Sequence, residues 1–283
     1  MPQSGPKRKP SPQDHPSLPI SGAFLCLSVT RPLIIAHRGA STEAPENTLA
    51  AFRRALALGV DGLELDVQLT RDGLPVVFHD STLVRLAGCR GRVAQFTGHE
   101  LRSIRVGGEP IPTLTAVLAL TRDRAVVQVE IKRGVPVAPV IDSIRRARAV
   151  SRVVLASFQP GVLAAVRALA PRIPRMLIHA GAIHRPATSP DQTRALAATL
   201  ADLGAGGVSL DHRGVHSAAT VEVLKRRGFC VWCWTVNDSC AMLRLAAWGV
   251  DAILSDDPAL LRSILLAPPP LNPLGRSLPK SMI

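Results

Sequence analysis

Strand and helix patterns alternate strictly along this chain, and that alternation narrows the fold more than any single motif. Short apolar runs fall at residues 33–37, 63–69, 125–132, 152–158, 175–180, 207–211, 230–236 and 252–255. Each is followed by a stretch with helical character, at 47–58, 113–121, 137–150, 161–170, 192–203, 217–227, 239–248 and 259–266. The first of these puts Leu49, Phe52 and Leu56 on one stripe and has Gly59 as its stop. With the extended arm at 74–79 counted as part of the second unit, eight strand–helix units fit into about 236 residues, 31–266. Such alternation argues a parallel sheet. Eight units of this length fit an α/β chain closed into a (β/α)8 TIM barrel, with a short insert after strand two at about 80–112. The competing architecture is a doubly wound open sheet, which carries a Gly-rich loop after its first strand. Here that strand runs into His37-Arg38-Gly39-Ala40, with no G-x-G-x-x-G.

The flanks read differently. Residues 1–19 are Pro-rich and basic, the composition of a disordered segment. An apolar run at 20–29 follows, roughly in signal-peptide order, but a polar gap separates it from the basic patch and Thr30-Arg31-Pro32 makes a poor cleavage site. Residues 1–30 are therefore expected to be a disordered, dispensable extension of a cytoplasmic protein, with export as the lesser alternative. Residues 267–283 are expected to be a disordered tail. No apolar run approaches the ~20 residues that span a bilayer, so no stable membrane insertion is expected.

The formal charge is +13, and without the two flanks it still amounts to 29 basic against 20 acidic residues. A basic surface favours anionic ligands in general. Aromatics make up only 3% of the chain and no nucleic-acid motif occurs, so nucleic acid is not an expected partner. Cys230 and Cys233 form a C-x-x-C, but within a strand they face opposite ways and do not share a metal. All five cysteines are expected to be free thiols in a reducing compartment.

Chemistry-bearing residues gather at the ends of the expected strands. His37 ends the first. Glu64 and Asp66 lie two apart on the second, and so on one face; Glu130 and Lys132 do the same on the third. His79 ends the extended arm. In a (β/α)8 barrel, active sites sit at the C-terminal ends of the strands. Each element has a plainer role: a Glu-x-Asp is commonly half-exposed or salt-bridged, Glu130 and Lys132 can be a simple ion pair, and a lone histidine is commonly structural. The coincidence of polar strand ends in three consecutive units outweighs those roles. Glu64, Asp66 and Glu130 make a hard oxygen site suited to Mg2+ or Ca2+. Arg38 and Lys132 add donors for an anion. His37 and His79 suit general acid–base work near neutral pH. Together these parts fit cleavage of a phosphodiester. His99, His179, His184, His212 and His216 are assigned no role.

These segments also resemble a known family. The stretch from Ile34 through His37-Arg38-Gly39-Ala40 to Pro45-Glu46-Asn47-Thr48, then Gly62-Leu63-Glu64-Leu65-Asp66-Val67 and Pro75 to Phe78-His79-Asp80, is similar to the glycerophosphodiester phosphodiesterases. Further matches are Ile111-Pro112-Thr113-Leu114, Val129-Glu130-Ile131-Lys132, Ala156-Ser157-Phe158, Trp234-Thr235-Val236-Asn237 and Ser255-Asp256-Asp257-Pro258. The resemblance covers about 33–262. It implies a metal-dependent barrel that hydrolyses glycerophosphodiesters to sn-glycerol 3-phosphate and an alcohol. It implies His37 and His79 as the catalytic pair, and Glu64, Asp66 and Glu130 as ligands of a divalent cation. It implies Arg38 and Lys132 at the phosphate. Glu46 matches a motif position beside the site. Phe78, Phe158, Trp232 and Trp234 are candidate walls of a glycerol pocket, although core packing is the commoner role for such residues. Asp80 is expected on the other face of its strand from His79, as an orienting or structural residue and not a ligand. The 80–112 insert departs from the family pattern at 86–91, and Thr115 stands where an acidic residue is common; both bear on the head group. Two further readings stay open: a phospholipase D acting on lysophospholipids or other membrane lipids, and a barrel that binds glycerophosphodiesters without turnover. The sequence leaves the oligomeric state open.

Overall fold

The computed structural model of the protein describes residues 31–180 and 190–267. The extension expected at 1–30 and nearly all of the tail lie outside the described residues, as do Cys26 and His184.

Eight parallel strands close on themselves: β1 (Leu33–His37), β2 (Gly62–Leu69), β6 (Val126–Ile131), β7 (Val153–Ser157), β8 (Arg175–His179), β9 (Gly207–Asp211), β10 (Cys230–Trp234) and β11 (Ala252–Ser255). β1 pairs with both β2 and β11, which completes the barrel. The helices between them are α1 (Leu49–Ala57), α4 (Leu114–Leu120), α5 (Val137–Arg146), α6 (Pro160–Leu169), α7 (Pro190–Leu203), α8 (Ala218–Arg226), α9 (Ser239–Ala247) and α10 (Pro258–Leu265). This is the expected (β/α)8 barrel.

Alternation along the strands sorts the core into two layers. Ile34, Leu63, Leu65, Val127, Val129 and Leu155 pack with helix residues such as Phe52, Val117 and Ile144. Leu33, Ile35, Val126, Val154, Met176 and Trp232 pack only with one another and other strand residues, and so fill the barrel lumen. His37, Glu64, Asp66 and Glu130 share the parity of that second set. They stack on it toward the C-terminal end, where the apolar filling stops. Cys230 belongs to the lumen and Cys233 to the outer layer, so they do face opposite ways. The expectation of free thiols throughout is corrected at one position: Cys89, Cys233 and Cys240 are free, whereas Cys230 is disulfide-bonded.

Helix starts follow side-chain caps more than hydrophobic periodicity. The helix expected from 47 begins at Leu49, because Asn47 is left-handed (φ 58°) and the Thr48 side chain accepts from the Ala51 N–H. Thr113 caps α4 in the same way.

β2 is longer than β1, and its upper half would be an open edge. β3 (Pro75–Val77) covers that edge in antiparallel register, Val67 opposite Val77. From there the insert runs through α2 (Val84–Ala87), α3 (Gly98–Leu101) and a hairpin of β4 (Arg105–Val106) and β5 (Glu109–Pro110). It has an apolar core of its own, built on Val76, Phe78, Leu83, Val93, Leu101 and Val106. Phe78, only 1% exposed, belongs to that core and not to a pocket wall. Among the described residues, no helix is long and apolar enough to cross a membrane.

Candidate active site

Strand register brings the expected residues together. His37 lies opposite Glu64 across β1 and β2, and Asp66 lies opposite Glu130 across β2 and β6. Glu64, Asp66 and Glu130 are buried, and each offers a carboxylate oxygen within 4.8 Å of the others. Burial raises the Glu64 carboxyl well above its ordinary value, and Asp66 and Glu130 raise it further. Burial, then Asp66, pushes Glu130 up to about 7. Asp66 goes the other way: burial raises it, but Lys132 and Arg38 outweigh that and hold it low. The Lys132 Nζ reaches Asp66 Oδ1 at 2.6 Å and Glu130 Oε1 at 2.7 Å. Two cations, Lys132 and an Arg38 shared with Glu46, face the three buried carboxylates, so acidic groups stay in excess, and the oxygen-only donor set suits a hard divalent cation.

The turn after β1 is built for close approach. Arg38 is left-handed (φ 58°), so its backbone N–H meets Glu64 Oε2 at 3.1 Å. Gly39 must be glycine, since a Cβ there would lie 2.8 Å from the Ala51 backbone carbon. The Arg38 guanidinium bonds Glu46 Oε1 at 2.9 Å and sits 3.4 Å from Asp66 Oδ2. Asn47 donates to Asp66 Oδ2 at 2.8 Å. Glu46 and Asn47 thus position the site from behind, Glu46 through Arg38.

Both histidines are held at Nδ1 by an aspartate. His37 Nδ1 lies 2.7 Å from Asp256 Oδ1, and its Nε2 points inward, 3.9 Å from Glu64 Oε2. Asp256 also accepts from Ser41 Oγ at 3.0 Å and Asn237 Nδ2 at 2.7 Å. Burial raises its carboxyl, but His37 and Asn237 prevail and hold it at about 2. His79 Nδ1 lies 2.7 Å from Asp80 Oδ1. Burial lowers the His79 imidazole below its ordinary value, against the pull of Asp66. Asp80 is held at about 2, chiefly by its bonds to Arg85.

Asp80 therefore corrects the expectation that it faces away: the strand ends at Val77, and the chain turns Asp80 back onto His79. Arg85 on α2 grips Asp80 at 2.6 and 2.7 Å and Glu46 at 2.9 and 3.0 Å. Arg85, Asn47 and Asp256 are functional positions for which sequence reasoning assigned no role. The Ser255-Asp256-Asp257-Pro258 match was a usable signal for Asp256, being the polar end of the last strand.

Trp234 donates from Nε1 to Ser209 O at 3.0 Å and packs edge-on against Phe158, ring centroids 5.7 Å apart. Phe158 is 39% exposed, so these two line the mouth; Trp232 is fully buried in the lumen and does not. A cleft of about 420 Å³ opens beside them, lined by Glu130, Lys132, Arg133, Ser157, Phe158 and Gln159.

Two histidines, two cationic side chains and three buried carboxylates thus meet at the C-terminal end of a (β/α)8 barrel, the end where enzymes of this fold carry their active sites. Comparison with known proteins narrows this. Residues 37–260 match the Glycerophosphoryl diester phosphodiesterase family, and the chain belongs to that family. It is a phosphoric diester hydrolase acting on glycerophosphodiesters. The glycerophosphodiester phosphodiesterase of Caldanaerobacter subterraneus subsp. tengcongensis is 35% identical over 82% of this chain and 97% of its own length. Among solved structures, a phosphodiesterase from Oleispira antarctica, in complex with the product sn-glycerol-3-phosphate, is 29% identical with a TM-score of 0.73, covering 83% of this chain and 96% of that one. A glycerophosphodiester phosphodiesterase from Agrobacterium tumefaciens is 27% identical with a TM-score of 0.72, covering 82% and 99%.

Proposed function

We propose that the enzyme releases sn-glycerol 3-phosphate and an alcohol, with His37 and His79 as its proton-transfer pair and Glu64, Asp66 and Glu130 holding Mg2+ or Ca2+. The observation that carries this reading is the placement of two aspartate-backed imidazoles over one buried carboxylate trio. In each histidine the Nδ1–H donates to an ionised aspartate, which leaves Nε2 as the working nitrogen. One imidazole takes the proton of the attacking oxygen, that of water or of the glycerol 2-hydroxyl, and the other returns one to the departing alcohol oxygen; attack by the 2-hydroxyl leaves a cyclic phosphate that water then opens to glycerol 3-phosphate. Arg38 and Lys132 orient the phosphoryl oxygens from two sides of the trio. When bound, a divalent cation at the trio supplies charge neutralisation for the phosphoryl group. Trp234 and Phe158, packed edge-on, wall the glycerol end of the mouth.

Release of glycerol 3-phosphate from glycerophosphocholine and its ethanolamine and glycerol counterparts tests the reading. EDTA should abolish release, and added Mg2+ or Ca2+ should restore it. Full activity in EDTA would remove the metal from the proposal. A faster rate on lysophosphatidylcholine than on glycerophosphocholine would favour a phospholipase D.

A further inference from the structure

The face opposite the mouth carries a charge pattern that the reaction does not use. Three neighbouring corners, α4 to β6, α5 to β7 and α6 to β8, lie side by side because β6, β7 and β8 pair in order. Nine arginines occupy them, against two acidic residues, Asp123 and Asp142.

Four of the nine are structural. Arg152 donates to Leu118 O at 2.8 Å, Arg145 to Leu169 O at 2.7 Å, Arg167 to Asp202 O at 2.8 Å and Arg175 to Leu203 O at 3.2 Å. Each satisfies a carbonyl at the C-terminal end of a neighbouring helix, where cations belong. The other five, Arg122, Arg124, Arg146, Arg148 and Arg172, are exposed, and none has a carboxylate partner among the described residues. Like charges meet on the β8 side, where Arg167 adds to burial in lowering the Arg175 guanidinium; at Arg152 burial lowers the group, and the pull of Asp123 exceeds the push of Arg122.

Arg148 is the most telling of the five. It holds the left-handed position (φ 51°) that closes α5, with Ala149 N–H bonded to Ile144 O and Arg148 N–H to Arg145 O. α1, α7, α8 and α9 put Gly59, Gly204, Gly228 and Gly249 at that position. An arginine kept where glycine is the unstrained choice points to a use for its side chain. Beside it, at the end of α6, Leu169 is 50% exposed among the cations.

From this we infer that these three corners form a docking surface for an anionic lipid bilayer. Arginines meet headgroup phosphates, and Leu169 enters the interface between them. The patch has no aromatic side chain for stacking on bases, which sets it apart from a nucleic-acid platform. Docked by this face, the barrel points its mouth to water. That orientation suits a water-soluble, deacylated substrate and not a lipid still in the membrane.

The test is co-sedimentation of the full chain with vesicles of phosphatidylcholine alone or with roughly 30% phosphatidylserine. Wild type should bind the anionic vesicles and leave them when salt rises from about 0.1 to 0.5 M. The triple variant Arg122→Gln, Arg148→Gly, Arg172→Gln should bind about a hundredfold more weakly, at roughly fivefold per arginine. Its hydrolysis of glycerophosphocholine should match wild type. Arg148→Gly alone should lose about fivefold in binding while raising the Tm, because glycine relieves the left-handed strain. Binding by wild type that the triple variant retains would overturn the inference, since the charge would then act from elsewhere. No binding to anionic vesicles would overturn it, as would tighter, arginine-dependent binding to single-stranded RNA.

Discussion

The two histidines share one mouth but hang from different parts of the molecule. His37 ends a barrel strand, and its aspartate comes from 219 residues away, at the far seam of the same barrel. Asp256 is itself fixed by Ser41 and Asn237, so His37 inherits the rigidity of the closed sheet. His79 lies beyond the last residue of a three-residue strand. Its aspartate is the next residue, and Asp80 is held by Arg85, which belongs to the insert. Half of the proposed proton-transfer pair thus depends on the barrel and half on a small appended core. Sequence changes in the insert should reach the chemistry through Asp80 to His79, and through Glu46 to Arg38.

The largest effect treats the two alike. His37→Ala and His79→Ala should each lower kcat by about 10²–10⁴, the range for loss of a general acid or base, with the fold intact by circular dichroism. An Ala variant of either that keeps near wild-type kcat would remove that histidine from the reaction.

The buttresses should separate them. Asp256→Asn should cost about 10–100-fold in kcat, as loss of a carboxylate behind a working imidazole does. Asp80→Asn should do the same through His79. Arg85→Ala should fall in that range but also raise KM, because it releases Glu46 and with it Arg38, the proposed phosphate contact. Glu46→Gln should show mainly the KM change. Lysine lacks the planar fork that spans two carboxylates, so Arg85→Lys should recover only part of the loss. If Arg85→Ala changed neither constant, the insert would be a bystander to catalysis.

How much of this the sequence shows depends on where each contact comes from. The barrel is legible because eight strands and eight helices each carry a local hydrophobic signal. The trio is legible because strand parity alone puts Glu64 with Asp66 and Glu130 with Lys132. The Asp256–His37 contact joins chain ends across the barrel seam, and no local pattern encodes it. Strand alternation puts Asp80 on the wrong side because the strand stops at Val77, but its expected orienting character fits its bond to His79. Arg85 was hidden because its partners, Glu46 and Asp80, lie 39 and 5 residues away on elements that only the fold brings together.

The carboxylate trio underlies both histidines, and its protonation gives a third, smaller test. Glu64 and Glu130 are both raised, Glu130 to about 7, by burial and by their neighbours. A raised carboxyl contributes stability below its unfolded value, and that contribution is lost as pH rises through the folded value. Metal-free enzyme should therefore lose Tm between about pH 5 and 8, and a Glu130→Gln variant should lose less. A cation binds the deprotonated form, so Mg2+ or Ca2+ affinity should climb as pH rises through about 7, by up to about tenfold per pH unit for each carboxyl that gives up a proton on binding. Calorimetric titration at pH 6 and 8 reads this directly. A pH-independent affinity would mean the trio does not change its protonation on binding.

The smallest effect probes the wall that neither histidine touches. Phe158 contributes an edge-on contact to Trp234, an arrangement that contributes about 0.5–1.5 kcal/mol. Its ring is 39% exposed, so its removal leaves no sealed cavity. Trp234 keeps its bond to Ser209 O and with it most of its orientation. Phe158→Ala should therefore raise KM by about two- to tenfold, at a kcat within about twofold of wild type. A fall in kcat comparable to that of Asp80→Asn would show that the glycerol wall and the proton machinery move together. The division between a rigid barrel half and an insert-held half would then need a third member on the β7 side of the mouth.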